Sequence, residues 1–299
     1  MKFLFTGASG FLGRNTLPKL REVYGSVTTL GLSDGDDISV DLGRTEPVLP
    51  GRYDVVLHAA GLAHVEAGNH EDAQAFFDVN YQGTVNLCRA LEKVGMPKSL
   101  VFISTVAVYG CEEGEDISEE HPLEGTSPYA KSNIMAEKFL GFWCAEKGVT
   151  LTVLRPALMA GPDAPGNLGA MVRGIRKGFY FNISGGRARK SLLMAGDIAN
   201  IVPLVAEKGG VYNVCDSYSP SYGELASCIA RQLGAKEPKS IPYPLARLAA
   251  AFGDLLGPRF PLKTPRLRKL TRTLTFSNAK IIATLPWRPL PVLDNYRVK

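Results

Sequence analysis

The sequence of 299 residues predicts an α/β fold, a doubly wound parallel sheet with a smaller C-terminal domain interleaved with it. Three observations carry that prediction. Short apolar runs alternate with longer helical patterns through the first half of the chain, the rhythm of parallel βαβ units. A glycine-rich turn follows the first apolar run directly. After Pro156 the rhythm loosens: Gly and Pro punctuate residues 161–190, and Pro recurs at 238, 242, 244, 258, 261 and 265.

Taken in order, Lys2–Thr6 reads as a buried strand and Phe11–Tyr24 as the helix after it. Val27–Leu32 and Asp54–His58 are further strands, bounded by polar and glycine-rich turns. Glu71–Val94 reads as one long helix, with Phe76, Phe77, Val79, Val85, Leu87 and Leu91 on its apolar positions. Ser99–Ser104 is a strand, Tyr129–Lys147 a helix and Thr150–Arg155 a strand.

Composition is that of an ordinary globular chain, 45% hydrophobic and 21% charged, which excludes collagen, coiled coil and disorder. The five cysteines are scattered, with no CxxC pair and no Cys/His cluster at metal spacing. A disulfide frame and a metal site are therefore not expected. No run approaches the roughly 18 apolar residues of a membrane span, and the N-terminus lacks a signal-peptide pattern. A reduced, soluble, cytoplasmic protein is the expectation.

The turn after the first strand reads Thr6-Gly7-Ala8-Ser9-Gly10-Phe11-Leu12-Gly13. Glycine at such a strand-to-helix turn lets the backbone approach a pyrophosphate, and the next helix offers unpaired N–H groups. Gly7, Ser9, Gly10, Phe11, Leu12, Gly13 and Arg14 are thus candidate dinucleotide-binding residues. Ligands in such sheets lie across the carboxyl ends of the strands. That adds Asp41 and Leu42 after the second strand, His58-Ala59-Ala60-Gly61 after the third, and Pro156. Ser104 closes another strand and Tyr129 opens a helix, so two hydroxyls at one end of the sheet can bond a substrate carbonyl. A tyrosine so placed serves as general acid or base once its phenol pKa of about 10 suits the task.

The segments TGASGFLG, HAAG, VNYQGTVNL, STVAVYG, PYAKSNIMAEKF, LRPALMAGP and GGVYNV, in this order, resemble the extended short-chain dehydrogenase/reductase family. The resemblance covers nearly the whole chain. It implies a Rossmann-like NAD(P)-binding domain over residues 1–165, with sheet elements around 192–215, and a mostly substrate-binding domain over 166–299. It implies Gly7, Gly10 and Gly13 at the pyrophosphate, Asp41 at the adenine and Asn80 in the supporting network. Ser104 and Tyr129 match the catalytic positions. One departure stands out: the family's YxxxK lysine is Asn133 here. An asparagine in that place can bond ribose hydroxyls but cannot stabilise a tyrosinate, so Tyr129 is expected to give a proton, as ketone reduction requires.

Within the family, the Asp-Glu pair of 4,6-dehydratases is replaced by Val106-Ala107, which disfavours dehydration. Segments 164–167, 187–192 and 267–277 resemble bacterial reductases of UDP-4-keto-6-deoxy-N-acetylhexosamines, which serve surface-polysaccharide synthesis. That resemblance makes Thr105, Asn167, Arg187 and Arg189 substrate-site candidates, with Lys190 beside them and His64 near the sugar. A 4-epimerase is the alternative, and a weakly active NAD(P)-binding sensor or scaffold is the alternative of another class. At the second strand's end, Leu30-Gly31-Leu32-Ser33-Asp34, the carboxylate that selects NAD is absent or displaced, and Arg14 can meet a 2′-phosphate, so the reading leans slightly to NADP. A UDP-sugar substrate and a homodimer through helices 71–94 and 129–147 follow from the same resemblance.

Charge is uneven. The formal net charge is +5, yet residues 258–299 hold ten Lys or Arg against Asp294, a net +9, leaving −4 for the rest. No aromatic platform interleaves with those cations, so nucleic acid is not the expected partner. Two readings remain: long-range attraction of an anionic sugar nucleotide, or weak association with an anionic membrane beside the amphipathic Pro242–Leu256 stretch.

Overall fold

The computed structural model describes residues 1–63, 69–256 and 262–298. Its strands are β1 (Phe3–Thr6), β2 (Val27–Gly31), β3 (Ile38–Ser39), β4 (Val55–His58), β5 (Ser99–Ile103), β6 (Gly114–Ile117), β7 (Thr150–Pro156), β8 (Leu158–Ala160), β9 (Asn182–Ile183), β10 (Leu192–Met194), β11 (Gly210–Val214), β12 (Ser240–Ile241) and β13 (Leu274–Phe276). The helices are α1 (Phe11–Tyr24), α2 (His70–Phe76), α3 (Gly83–Val94), α4 (Pro128–Lys147), α5 (Gly166–Arg176), α6 (Asp197–Val205), α7 (Tyr222–Leu233), α8 (Tyr243–Leu256), α9 (Thr264–Thr271), α10 (Ala279–Thr284) and α11 (Val292–Asn295).

Among the described residues, the largest sheet is parallel throughout, in the order β11-β7-β5-β4-β1-β2-β3. The strands are apolar on both sides because both sides are covered. Phe3, Phe5, Val55 and Leu57 pack with Leu12 and Leu20 of α1, Ile198 and Val202 of α6, and Ile281 of α10. Leu4, Val56, Leu100 and Phe102 pack on the other face, against Leu87 and Leu91 of α3 and Ala136 and Leu140 of α4. The fold is therefore the doubly wound, Rossmann-like sheet that the alternation of elements predicts.

The second layer system is woven from both ends of the chain. Strand β6 pairs with β13, β8 with β10 and β9 with β12. A separate core joins Leu168 and Met171 of α5, Leu225 and Ile229 of α7, and Val292. Strands β3 and β6 are short and polar, so no apolar run announces them.

The helix expected over Glu71–Val94 is instead three segments: α2, a wide π-helical stretch over Phe77–Gln82, and α3. Asn80 lies inside the wide stretch and is 3% exposed. Such bulges turn an inward side chain away from the regular ladder, often beside a site. Here the Asn80 amide accepts from the Leu62 N–H at 2.6 Å and donates to Ser132 Oγ of α4 at 3.0 Å. No described helix is long and apolar enough to cross a membrane, and all five cysteines are free thiols.

Candidate active site

At the first strand-to-helix turn, the glycines are needed for close approach. Gly7 sits at φ 79°, and a Cβ there would lie 2.7 Å from the Ala59 carbonyl oxygen and the Ala60 nitrogen. A Cβ on Gly13 would collide with the Ala8 carbonyl, so α1 packs directly on its own entry loop. Gly10 caps α1 without a side chain, leaving the helix's first N–H groups open to a ligand. This cradle, bounded by Ala59 and Ala60, fits a dinucleotide pyrophosphate at the positive end of the α1 dipole.

At the end of β2 a carboxylate is present after all. The turn after Gly31 folds Asp36 back, and its Oδ2 lies 2.5 Å from where a Gly31 Cβ would stand, with Ser9 Oγ 3.3 Å from the same point. Gly31 leaves the room that Asp36 fills. The motif does not reveal it, because the acid comes five residues late. Arg14 donates instead to the Ser9 carbonyl at 2.7 Å.

A cleft of about 1180 Å³ runs from this loop, across the strand ends, to the second layer system. It brings together Gly7, Gly10, Phe11, Leu12, Arg14, Ala59, Ala60, Gly61, Asn80, Ser104, Thr105, Tyr129, Asn133, Pro156 and Asn167. Ser9, Gly13, Asp41, Leu42, His58, Arg187 and Arg189 do not line it. His64 lies outside the described residues.

The two adjacent hydroxyls divide their work. Ser104, the expected catalytic partner of Tyr129, is 4% exposed, and its hydroxyl donates to Glu137 Oε1 at 2.5 Å. Arg155 grips the same carboxylate with two prongs, Nε at 3.0 Å and Nη2 at 2.6 Å, and donates through Nη1 to the Tyr109 hydroxyl. Tyr109 in turn donates to Asn213 Oδ1 at 2.6 Å. Ser104 is thus tied into a buried network. Thr105 lines the cleft with Tyr129 and is the hydroxyl that pulls the Tyr129 phenol's pKa down against burial. Its Oγ1 accepts from the Ala107 N–H at 3.1 Å, which leaves its own proton free to donate. The expectation for Ser104 is corrected on this ground: its proton is committed to a carboxylate below the cleft.

Burial pushes the Tyr129 phenol above its ordinary value near 10, and the Thr105 hydrogen bond opposes that only in part. Asn133 is buried, and its amide donates to the Tyr129 carbonyl at 2.9 Å, closing a helical turn. Lys131 is exposed on another side of α4. Tyr129 therefore holds its proton at neutral pH. Glu137, absent from the residues expected at the site, sits four residues after Asn133 on the same buried face; the signal for it is the i, i+4, i+8 spacing from Tyr129.

His58 is a structural residue. Fully buried, it is pushed down to about 4 by burial. The Ala60 N–H donates to Thr6 Oγ1, which lies 2.7 Å from His58 Nδ1, while His58 Nε2 lies 2.9 Å from Thr84 Oγ1. Thr84 donates its own proton to the Asn80 carbonyl. Nδ1 must then accept and Nε2 donate, a neutral imidazole bracing β1 and β4 against α3.

On the far wall, Arg187 and Arg189 are exposed, and Arg189 donates to the Ser219 carbonyl while lying over the Tyr218 ring. Both are corrected as cleft residues. Successive side chains in this extended segment point to opposite sides, so Lys190 is the one that enters, joined by Arg266 and Lys269 of α9. Burial and the neighbouring Lys269 lower the Lys190 amine to about 8. Asp41 and Leu42 stand outside the cleft lining: the Asp41 carboxylate accepts from the Gly43 N–H and pairs with Arg44, and the Leu42 side chain is core.

A profile of the NAD dependent epimerase/dehydratase family matches residues 3–215. The chain belongs to that family. It is an NAD(P)-dependent epimerase or reductase of the sugar-nucleotide kind, with the glycine-rich loop and the Tyr129 hydroxyl at one cleft. Among curated relatives it is similar to the N-acetyl-alpha-D-glucosaminyl-diphospho-ditrans,octacis-undecaprenol 4-epimerase of Escherichia coli O157:H7, 29% identical over 93% of this chain and 88% of that protein. It is also similar to GDP-6-deoxy-D-mannose reductase of Pseudomonas aeruginosa, 27% identical over 77% of this chain and 79% of that one. Among solved structures, the Thermus thermophilus UDP-glucose 4-epimerase complex with NAD superposes with a TM-score of 0.76, at 25% identity over 99% and 97% of the two chains.

Proposed function

We propose that this protein reduces the 4-keto group of a 6-deoxy sugar carried on a diphosphate, as in a UDP-4-keto-6-deoxy-N-acetylhexosamine, for surface-polysaccharide synthesis in the cytoplasm. The observation that carries the reading is Tyr129: a phenol kept protonated by burial, with Asn133 where a lysine would lower its pKa. When bound, the reduced nicotinamide supplies a hydride to the keto carbon. Thr105 and Tyr129 orient the keto oxygen, and Tyr129 passes its proton to that oxygen, leaving a phenolate that water reprotonates. Asn80 holds the Leu62 backbone beside the site, and the Ala59–Gly61 turn leaves room for the cofactor. Lys190, Arg266 and Lys269 face the diphosphate.

The test is to mix protein, NADH or NADPH and the keto sugar, and follow reduced-nicotinamide absorbance. One cofactor oxidised per sugar consumed supports the reading. A second reading, 4-epimerisation, is favoured by the 29% identity to the undecaprenol-linked 4-epimerase across nearly the whole chain. It would interconvert two sugars with no net oxidation. Cofactor binding without either outcome would favour the sensor.

For the cofactor itself, Asp36 changes the balance: a carboxylate at the end of β2 accepts ribose hydroxyls and repels a 2′-phosphate. NAD(H) is the form it fits, and Asp36→Asn is expected to raise the ratio of NADPH to NADH use about tenfold, read as kcat/KM for each. The thiols left free support a reducing compartment. A homodimer through α3 and α4 is supported by Met135 and Phe142, exposed seven residues apart on one face. Light scattering of Phe142→Glu, reading a monomer, tests it.

A further inference from the structure

Helix α8 is amphipathic in an unusual sense, because its apolar face is turned outward. Ala246, Ala250 and Gly253 are its buried side, packed with Leu267 of α9 and Ile183. Leu245, Leu248, Phe252, Leu255 and Leu256 are each between 58% and 84% exposed. At 100° per residue these five fall within an arc of about 100°, well away from the buried side. Monomeric soluble proteins scatter large apolar side chains singly, whereas a contiguous row marks a contact surface.

The charge beside that row selects the occupant. Arg266, Arg268 and Lys269 are exposed on α9, which packs against α8. The acid on α8, Asp254, lies far round the helix from the row and accepts from the N–H and hydroxyl of Thr264. A second copy docked on the same face would bring these cations together. An anionic lipid surface instead receives both the apolar row and the charge, as interfacial helices do. Helix α8 spans only 14 residues, and no described helix suits a membrane crossing.

We infer that α8 lies in the surface of an anionic bilayer, with Arg268 of α9 contributing its charge to lipid headgroups while Arg266 and Lys269 of the same helix line the cleft. The same two helices form a wall of the substrate cleft through Ala246, Ala249, Arg266 and Lys269. Phe179, 77% exposed, lines the cleft as well. Docking therefore sets the cleft beside the bilayer, where a sugar diphosphate anchored to a lipid could enter without leaving it. The inference stands whichever way hydride moves in the proposed reaction.

The experiment is co-sedimentation of the full-length protein with phosphatidylcholine vesicles and with vesicles containing about one-third phosphatidylglycerol. Preferential pelleting with the anionic vesicles, released by salt and reduced at least about tenfold by Leu248→Glu with Phe252→Glu, is the expected result. Both positions are exposed, so the variant keeps its circular dichroism and its turnover of a water-soluble sugar nucleotide. Arg268→Gln is expected to give a smaller loss confined to anionic vesicles. Equal or no pelleting with either composition overturns the inference. So does a variant that dissociates a wild-type dimer while vesicle binding is unchanged, which would assign the row to a second copy. Loss of catalysis in the wild-type protein would count against the proposed reaction and leave vesicle binding to be judged separately.

Discussion

The floor of the cleft and its far wall are built on opposite principles. Under the strand ends, every polar side chain named has a partner: Ser104 on Glu137, Glu137 on Arg155, Arg155 on Tyr109, Tyr109 on Asn213, and His58 between two threonines. On the far wall, Lys190 and Lys269 both line the cleft, and burial, with the neighbouring Lys269 charge second, lowers the Lys190 amine. The cofactor side is finished before anything binds. The substrate side is completed by an anion. Rigid preorganisation serves hydride geometry, where a small misplacement is costly, while a wall of like charges suits the diphosphate of the proposed substrate.

The comparison breaks most sharply at Tyr129. If the floor delivers the proton, Tyr129→Phe keeps the fold and lowers kcat by about 10²–10⁴, measured on the keto sugar. An unchanged kcat would place the acid elsewhere. Next is the buried pair: Glu137→Leu leaves the buried Arg155 charge without its carboxylate, and is expected to cost about 3–5 kcal/mol in urea unfolding. A loss below about 1 kcal/mol would mean that the floor is looser than its hydrogen bonds imply.

The third test is acid. The unfolded chain binds a proton at His58 below its ordinary 6.5, whereas the folded protein resists until about 4. Between those values the unfolded state holds more protons, so stability falls as pH drops from 6.5 towards 4, by about 3 kcal/mol in all. A His58→Asn variant should lack that slope in thermal melts. The smallest effect belongs to the wall. Lys190 loses its proton as pH rises through about 8, so KM for the sugar diphosphate should climb above pH 8 by about tenfold. Lys190→Met would begin at the raised KM and show a flatter profile.

Much of the floor is legible in the amino-acid order alone. Gly7, Gly10 and Gly13 announce the loop because its backbone geometry admits no side chain, and the strands announce themselves because both faces are buried. Tyr129 and Asn133 are read from their spacing on one helix. The misreadings share a cause: neighbouring residues of similar chemistry point to opposite sides. Ser104 and Thr105 both carry hydroxyls, as Arg189 and Lys190 both carry charge, and only the packing around each pair shows that Glu137 holds the Ser104 proton and that Lys190 lines the cleft where Arg189 does not.

Asp36 makes the same point at longer range. Its carboxylate reaches the end of β2 only because Gly31 leaves a space and the following turn folds back, a geometry no motif records. The bulge at Asn80 is likewise invisible to helical periodicity, since the apolar positions on either side continue the pattern. The sequence by itself determined the doubly wound sheet, the glycine-rich turn and the uneven charge, because these follow from local backbone chemistry and from composition. Tertiary structure alone decided that Glu137 holds the Ser104 proton, that Lys190 and not Arg189 lines the cleft and that the apolar row of α8 lies outside, because each is a matter of which side of a short segment the rest of the chain covers.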